Sequence, residues 1–203
     1  CLLIGAPVGL CIAKAGERVR NVLLMLVIIP FWTNFLIRIF AWKVLLHPEG
    51  PIKRILLLFH LVDSHASLMY NEGAVLVVIV YTYLPFAILP IYAAAEKFDF
   101  SLFEAALDLG CSRFEAYWRV FIPGISRGLV TAALVVFIPA LGSYVIPDIM
   151  GGPSSEMIGN KIAQRVFVDR NLPHASGLAA LLTLAVVIPM IVILFQQGRQ
   201  GSK

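Results

Sequence analysis

The chain reads as long apolar runs parted by short polar ones. Four runs carry no Asp, Glu, Lys or Arg: residues 21–37, 73–95, 128–147 and 171–198. A helix rising about 1.5 Å per residue needs about 20 residues to cross roughly 30 Å of hydrocarbon. The last three runs are long enough. The first becomes so when 35–46 extends it, with Arg38 and Lys43 near its far end. Residues 1–13 are apolar but too short to span, and they read as the tail of a span whose beginning is missing. A signal-peptide core is the lesser rival, since no basic segment precedes it and no small-residue cleavage site follows. The pattern therefore predicts a partial span over 1–13 and spans near 21–46, 74–95, 124–147 and 174–196. That is an all-α, polytopic membrane helical bundle, a single transmembrane domain over 1–203 with about five spans in view.

Between the runs lie a basic loop, KAGERVR, a longer loop at 47–73, a polar segment at 96–122 and a loop at 148–173. PIKRILLLF opens on Pro51, a favoured first helical residue, and GGPSSEMIGNKIAQRVF aligns Ile158, Ile162 and Val166 on one helical face. Both read as interfacial helices that cover the bundle, or as a docking surface for an external partner. If KAGERVR, the polar segment and the C-terminal tail share a side, that side holds Lys14, Arg18, Arg20, Lys97, Arg113, Arg119, Arg127, Arg199 and Lys203. The opposite loops and span end hold Lys43, Lys53, Arg54, Lys161, Arg165 and Arg170. The larger basic count places the first side in the cytoplasm.

Composition narrows the class. A chain that is 60% hydrophobic and 14% charged is too apolar for a soluble domain with one core. The net charge of +4 comes without a Lys/Arg block, which excludes nucleic acid as a partner and is accounted for by anionic lipid headgroups. Cys1, Cys11 and Cys111 imply no disulfide framework and read as small apolar fillers. His60, Asp63 and His65 in HLVDSH lack a fourth ligand and read as solvated loop residues, so no metal site is assigned.

The polar segment, which includes a loop at 101–122, carries the most specific signals. Ser101 with Glu104 has the spacing of a capping box, so a helix is expected to start there. Gly110 supplies a left-handed residue to end it after about two turns, and Ser112 with Glu115 repeats the start signal. The prediction is helix, corner, helix. Leu102, Phe103, Ala106 and Leu107 would form one apolar surface, with Ala105 leaving a neighbouring side shallow, as suits a groove in another protein. Capping alone equally supports an amphipathic hairpin lying on the membrane.

The spacing EAA at 104–106, three residues, Gly110, nine residues, then Val120, Phe121, Ile122 and Pro123 closely resembles the EAA signature of ABC importer permeases. PFWTNFLIRIFAW, YLPFAILPIYAA and FIPALGSYVIPDIMGGPSSEMIGN are similar to the polyamine (spermidine/putrescine) permeases, most of all to the putrescine permease type. The likeness runs over essentially the whole chain. It implies six core spans, of which one and the start of another are absent here. It also implies a second permease subunit, two ATP-binding subunits, and an extracytoplasmic substrate-binding protein, in a bacterial plasma membrane. ATP and Mg are expected on the partner ATPase. The chain agrees, having no GxxxxGK[ST] phosphate loop and no cofactor or catalytic residues of its own. The resemblance assigns Glu104, Ala105, Ala106 and Gly110 to the ATPase contact of the coupling helix, with Leu107 and Asp108 as neighbours. Gly110→Asp is expected to spoil both the corner and the fit.

A polyamine is a flexible polycation, held by carboxylates and aromatic faces. Trp32, Trp42, Tyr81, Tyr83 and Tyr144 lie in spans, Asn34 is polar within one, and Asp148 ends another, which makes them the substrate-pathway candidates. Each aromatic also suits an interfacial belt. Arg38 would snorkel outward or pair with a carboxylate. The putrescine pattern has an acidic residue where this chain has Ser143, so either the partner permease supplies carboxylates or the cargo differs within the amine group. The rival reading, an ion-coupled transporter or channel, requires acids or histidines inside the spans, and the long spans hold almost none.

Overall fold

The computed structural model describes residues 1–59, 63 and 67–200, so His60 and His65 lie outside the described residues. Its helices are α1 (Leu2–Lys14), α2 (Glu17–Ile28), α3 (Phe35–Leu45), α4 (Pro51–Leu58), α5 (Glu72–Glu96), α6 (Phe100–Asp108), α7 (Arg113–Gly124), α8 (Ser126–Leu141), α9 (Val145–Met150), α10 (Ile158–Phe167) and α11 (Leu172–Gln200). No strand occurs among the described residues, as the all-α reading requires. Two described helices are long and apolar enough to span, Glu72–Glu96 and Leu172–Ile191. Two more spans result if the bent pairs Glu17–Trp32 with Phe35–Leu45 and Arg113–Gly124 with Ser126–Leu141 are each counted as one.

Two predicted spans are broken. The run expected over 21–46 stops at a 3₁₀ turn, Ile29–Trp32, and resumes at Phe35. Pro30 has no amide to continue the ladder, and Thr33 turns back on it, its hydroxyl donating to the Pro30 carbonyl at 2.7 Å. The run expected over 124–147 begins instead after a 74° bend between α7 and α8. It ends at Leu141 and restarts as α9. Pro139 and Gly142 weaken that end, and the Ser143 amide closes a turn onto the Ala140 carbonyl. Pro85 and Pro90 interrupt nothing, because α5 runs through both. Pro51 does open α4 as the first helical residue.

The chain divides into two compact units, Cys1–Asn34 with Val80–Phe137 and Phe35–Ile79 with Ile138–Lys203. In the first, Ala87, Ile91, Ala95, Phe103, Ala106, Ala116, Phe121, Ile125 and Ala132 make a buried core. Small residues let its helices approach. A β-carbon on Gly9 of α1 would lie 2.7 Å from the Ile91 side chain, and one on Gly128 of α8 would lie 2.3 Å from that of Ala94. Gly124 sits equally close to the Phe98 ring. The Gly124–Gly128 pair is thus a close-packing site, as small residues four apart are in membrane bundles.

In the second unit the core is Ile39, Leu46, Met69, Ala74, Val75, Val78, Ile146 and Met150. Helix α10 presents Ile158, Ile162 and Val166 inward along one half-buried face, in keeping with its predicted register. Only 6% of the apolar window of α11 is buried within the chain, against 39% for α5. Over Leu172–Ile191, α11 therefore offers its side chains outward, as a helix in lipid or against another subunit does.

Candidate functional site

The segment between α5 and α8 folds as a short helix, a corner and a second helix. Its start differs from the expectation. The cap of α6 is Asp99, whose carboxylate accepts the Ser101 amide at 3.0 Å, and Ser101 is already inside the helix. Starting at Phe100 places Phe100, Phe103 and Leu107 along one face, against the first unit's core, which a start two residues later would forfeit. Hydrogen bonding from Ser101, hydroxyl first and amide second, holds the Asp99 carboxyl below its ordinary range.

The end of α6 is as predicted. Gly110 has φ +90°. The Cys111 amide reaches back to the Ala106 carbonyl at 3.1 Å and the Gly110 amide to that of Leu107 at 2.9 Å. These are the two bonds of a Schellman cap, and they satisfy carbonyls that the helix end would leave orphaned. Ser112 then starts α7 with a reciprocal capping box: its hydroxyl accepts the Glu115 amide at 3.2 Å, and the Glu115 carboxylate accepts the Ser112 amide at 2.9 Å. The Ser112 amide first, and second its hydroxyl, which donates to the same carboxylate at 3.0 Å, keep the Glu115 carboxyl low.

Rigidity comes from rings that sequence reasoning missed. Phe121, fully buried, stacks on Tyr117 with centroids 5.6 Å apart and meets Phe98 edge-on at 5.4 Å, which meets Phe100 in turn at 5.4 Å. Each such pair contributes about 0.5–1.5 kcal/mol beyond its buried area. The Lys14 ammonium, at the end of α1, lies 4.2 Å from the Phe103 centroid and 5.3 Å from that of Phe100. It thereby ties α1 to α6. A signal was available in the density of aromatics from Phe98 to Phe121.

The predicted contact residues divide by face. Glu104, Ala105, Asp108 and Gly110 are exposed, as are Leu102 and Leu109, whereas Ala106 is buried in the core and Leu107 is half-buried against it. The predicted apolar surface therefore splits, with Phe103, Ala106 and Leu107 turned toward the chain's own core and Leu102 turned outward.

The pathway candidates also separate. Trp32 and Asn34 are exposed, Tyr81 is half-buried and Tyr83 buried, all in the first unit. Arg38 lies in the second, 6.0 Å from the Phe35 ring centroid. Trp42 packs against the second unit's core. Tyr144, just before α9, and Asp148, on it, line one cleft of about 550 Å³ in that unit. Tyr70, Glu156, Asn160 and Phe167 join them there, and none of these four was anticipated. The walls are tied. The Tyr70 amide donates to the Met150 carbonyl at 3.0 Å, and Asn160 donates to the Tyr144 carbonyl at 2.9 Å. Gly159 lies so close to the Gly142 and Ser143 carbonyls that a β-carbon would stand 2.8 Å from each.

Comparison with known proteins adds what geometry alone does not. The profile described as "Binding-protein-dependent transport system inner membrane component" matches residues 5–201. The chain is 37% identical over 195 residues to the spermidine/putrescine transport system permease protein PotB of Salmonella typhimurium strain SL1344, covering 96% of this chain and 67% of that protein. It is 38% identical over 192 residues to PotB of Haemophilus influenzae, covering 95% and 67%. A solved bacterial ABC transporter that imports the acidic polysaccharide alginate shares the fold, with a TM-score of 0.64 over the whole chain and 75% of the matched one at 17% identity. The chain thus belongs to the binding-protein-dependent transport system inner membrane components, the permease subunits of ABC importers.

Proposed function

We propose that this permease forms part of the pathway for a polyamine or related amine and is driven through α6 by a cytoplasmic ATP-binding subunit. The observation that carries the coupling is the face of α6. It is capped at both ends and braced by rings from within, and it leaves Glu104, Ala105 and Asp108 outward at a corner fixed by Gly110. A rigid exposed knuckle transmits displacement with little loss, as alternating access requires. The cargo reading rests on the likeness to the PotB relatives, whose names carry spermidine and putrescine.

In this reading the chain works with a second permease subunit, two ATP-binding subunits and an extracytoplasmic substrate-binding protein. It sits in a bacterial inner membrane with 101–122 and the C-terminus in the cytoplasm. ATP and Mg act on the ATPase, and this chain performs no covalent step. The unbroken family match through both units supports a single permease domain over 1–203.

The test is reconstitution of the assembled transporter in proteoliposomes with its binding protein. ATP-dependent spermidine or putrescine uptake is expected, along with a disulfide from a cysteine at position 105 to the ATPase. Uptake of only a sugar or an anion would overturn the cargo. A 105 cysteine that crosslinks to nothing would overturn the coupling.

A further inference from the structure

The cleft around Tyr144 and Asp148 has a chemistry of its own. Its lining holds two carboxylates, Asp148 and Glu156, and three aromatic rings, Tyr70, Tyr144 and Phe167, with no lysine or arginine. The two acids are not equivalent. Glu156 is ion-paired with Lys161, whose side chain lies outside the lining. Asp148 makes no side-chain hydrogen bond or ion pair among the described residues. Asn160 is already committed, accepting the Met157 amide at 3.2 Å and donating to the Tyr144 carbonyl.

We propose that this cleft is a subsite for a primary alkylammonium group, with Asp148 as the counter-charge and the Tyr70, Tyr144 and Phe167 rings as walls for the ammonium and its methylenes. The proposal deepens the amine reading above and rests on it for its place in transport. A cation is selected for three reasons. A carboxylate or phosphate would meet the unpaired Asp148 charge and no lysine or arginine in the lining. A neutral polyol could hydrogen-bond Asp148 but would bring it no counter-charge. Aromatic faces attract an ammonium in addition.

Size and preorganisation agree. A volume of about 550 Å³ falls within the range of roughly 300–1,000 Å³ usual for small-molecule clefts, and it exceeds one alkylammonium arm. The loop bearing Tyr70 is fixed before any ligand arrives. Its backbone is held at φ 57° by the bond to Met150, and Gly152 leaves its carbonyl no room for a β-carbon, which would lie 2.4 Å away. The Ser155 hydroxyl accepts the Gly152 amide at 3.3 Å from a buried position. Walls already in place lower the ordering cost of binding.

The experiment uses the assembled transporter in lipid nanodiscs with two probes, butylammonium and its neutral counterpart butan-1-ol, read by saturation-transfer-difference NMR. Butylammonium is expected to give a saturable signal and butan-1-ol a much weaker one. An exposed charge pair corresponds to about two- to fivefold in affinity, so Asp148→Asn should weaken butylammonium by about that factor, and Asp148→Glu should restore it. Lys161→Ala releases Glu156 and should tighten butylammonium, a gain that damage to the fold does not produce. Equal signals from the two probes, an unchanged signal in Asp148→Asn, or weaker binding in Lys161→Ala would each overturn the subsite. If the signal follows Asp148 but wild-type transporter moves no polyamine, the cargo reading fails and the subsite stands. If spermidine uptake keeps its KM in Asp148→Asn and the signal is absent, the subsite fails and the cargo reading stands.

Discussion

Gly110 separates the two things that the corner after α6 must do. Its φ of +90° is a conformation that side-chain-bearing residues avoid, yet a β-carbon built there meets nothing within 4 Å. Any cost to the chain itself is therefore conformational, not steric. For alanine it is about 1–2 kcal/mol, enough to raise the open-corner population by a factor of about 5–30. Asparagine and aspartate visit left-handed backbone more readily, so the corner should tolerate them better than alanine. In the coupling proposed above, the exposed side chain would then project toward the docked ATP-binding subunit. Stability should fall in the order Gly, then Asn and Asp, then Ala, read as amide exchange at Gly110 and Cys111, whose bonds to Leu107 and Ala106 hold the cap. Coupling, read as cargo moved per ATP hydrolysed in the assembled transporter, should follow bulk and charge instead, with Ala ahead of Asn and Asp last. If coupling tracks the stability order, Gly110 serves only the corner. If Gly110→Asp transports as the wild type does at normal membrane levels, the docking surface lies elsewhere.

Three further outcomes are expected. Ala106→Leu overfills a buried site and should cost about 1–3 kcal/mol, whereas Ala105→Leu, exposed on the adjacent face, should leave thermal stability within about 0.5 kcal/mol while lowering coupling. Equal destabilisation by the two would contradict the split of faces. Lys14→Ala removes contacts to two rings, together about 1–2 kcal/mol, and should speed amide exchange across α6, with Lys14→Arg restoring protection and no change in either variant refuting the tie. Because Asp99 and Glu115 are both held below the ordinary carboxylate range, their caps contribute stability that is fully present above about pH 4–5 and lost as pH falls through the depressed values. Exchange at the Ser101 and Ser112 amides, which donate to the Asp99 and Glu115 carboxylates, should, once corrected for intrinsic rate, stay flat from pH 7 to 5 and rise only below that. A rise near neutrality would contradict the assignment, and Asp99→Asn and Glu115→Gln should each flatten the acid limb at its own cap.

What could be read from the chain follows from which forces act locally. The membrane class and the approximate spans were legible, because hydrocarbon demands a charge-free run of set length and the chain displays such runs openly. Breaks within runs were not. Pro30 ends a helix while Pro85 and Pro90 do not, and the three look alike in sequence. The difference depends on how the freed carbonyls are satisfied, which for Pro30 means a turn closed by Thr33. The corner at Gly110 was legible because a Schellman cap is purely local. The start of α6 was misplaced by two residues, since Asp99 and Ser101 are both good caps and the choice falls to packing of Phe100. Tyr144 and Asp148 could be named from their position at a span end. Tyr70 could not, because it stands 74 positions before Tyr144 and no pattern announces which loops meet.

The helical period explains why the tripeptide at 104–106 has the composition it does. Successive residues are about 100° apart, so Glu104, Ala105 and Ala106 cannot all meet one neighbour. Ala106, three residues after Phe103, shares its inward face and must be small to let α6 sit against the core around Phe121 and Ala116. Ala105 faces outward, where a small side chain lets an approaching helix or groove come near the backbone, and Glu104 beside it supplies a charge with no partner inside the chain among the described residues. Two alanines in sequence thus serve opposite surfaces. A helix of nine residues is marginal in isolation, and here it is fixed by a cap at each end, one ammonium and a chain of rings. In the coupling proposed above, that inward anchoring would let the outward face carry force, a push on Ala105 reaching α1 through Lys14 and α7 through Phe121.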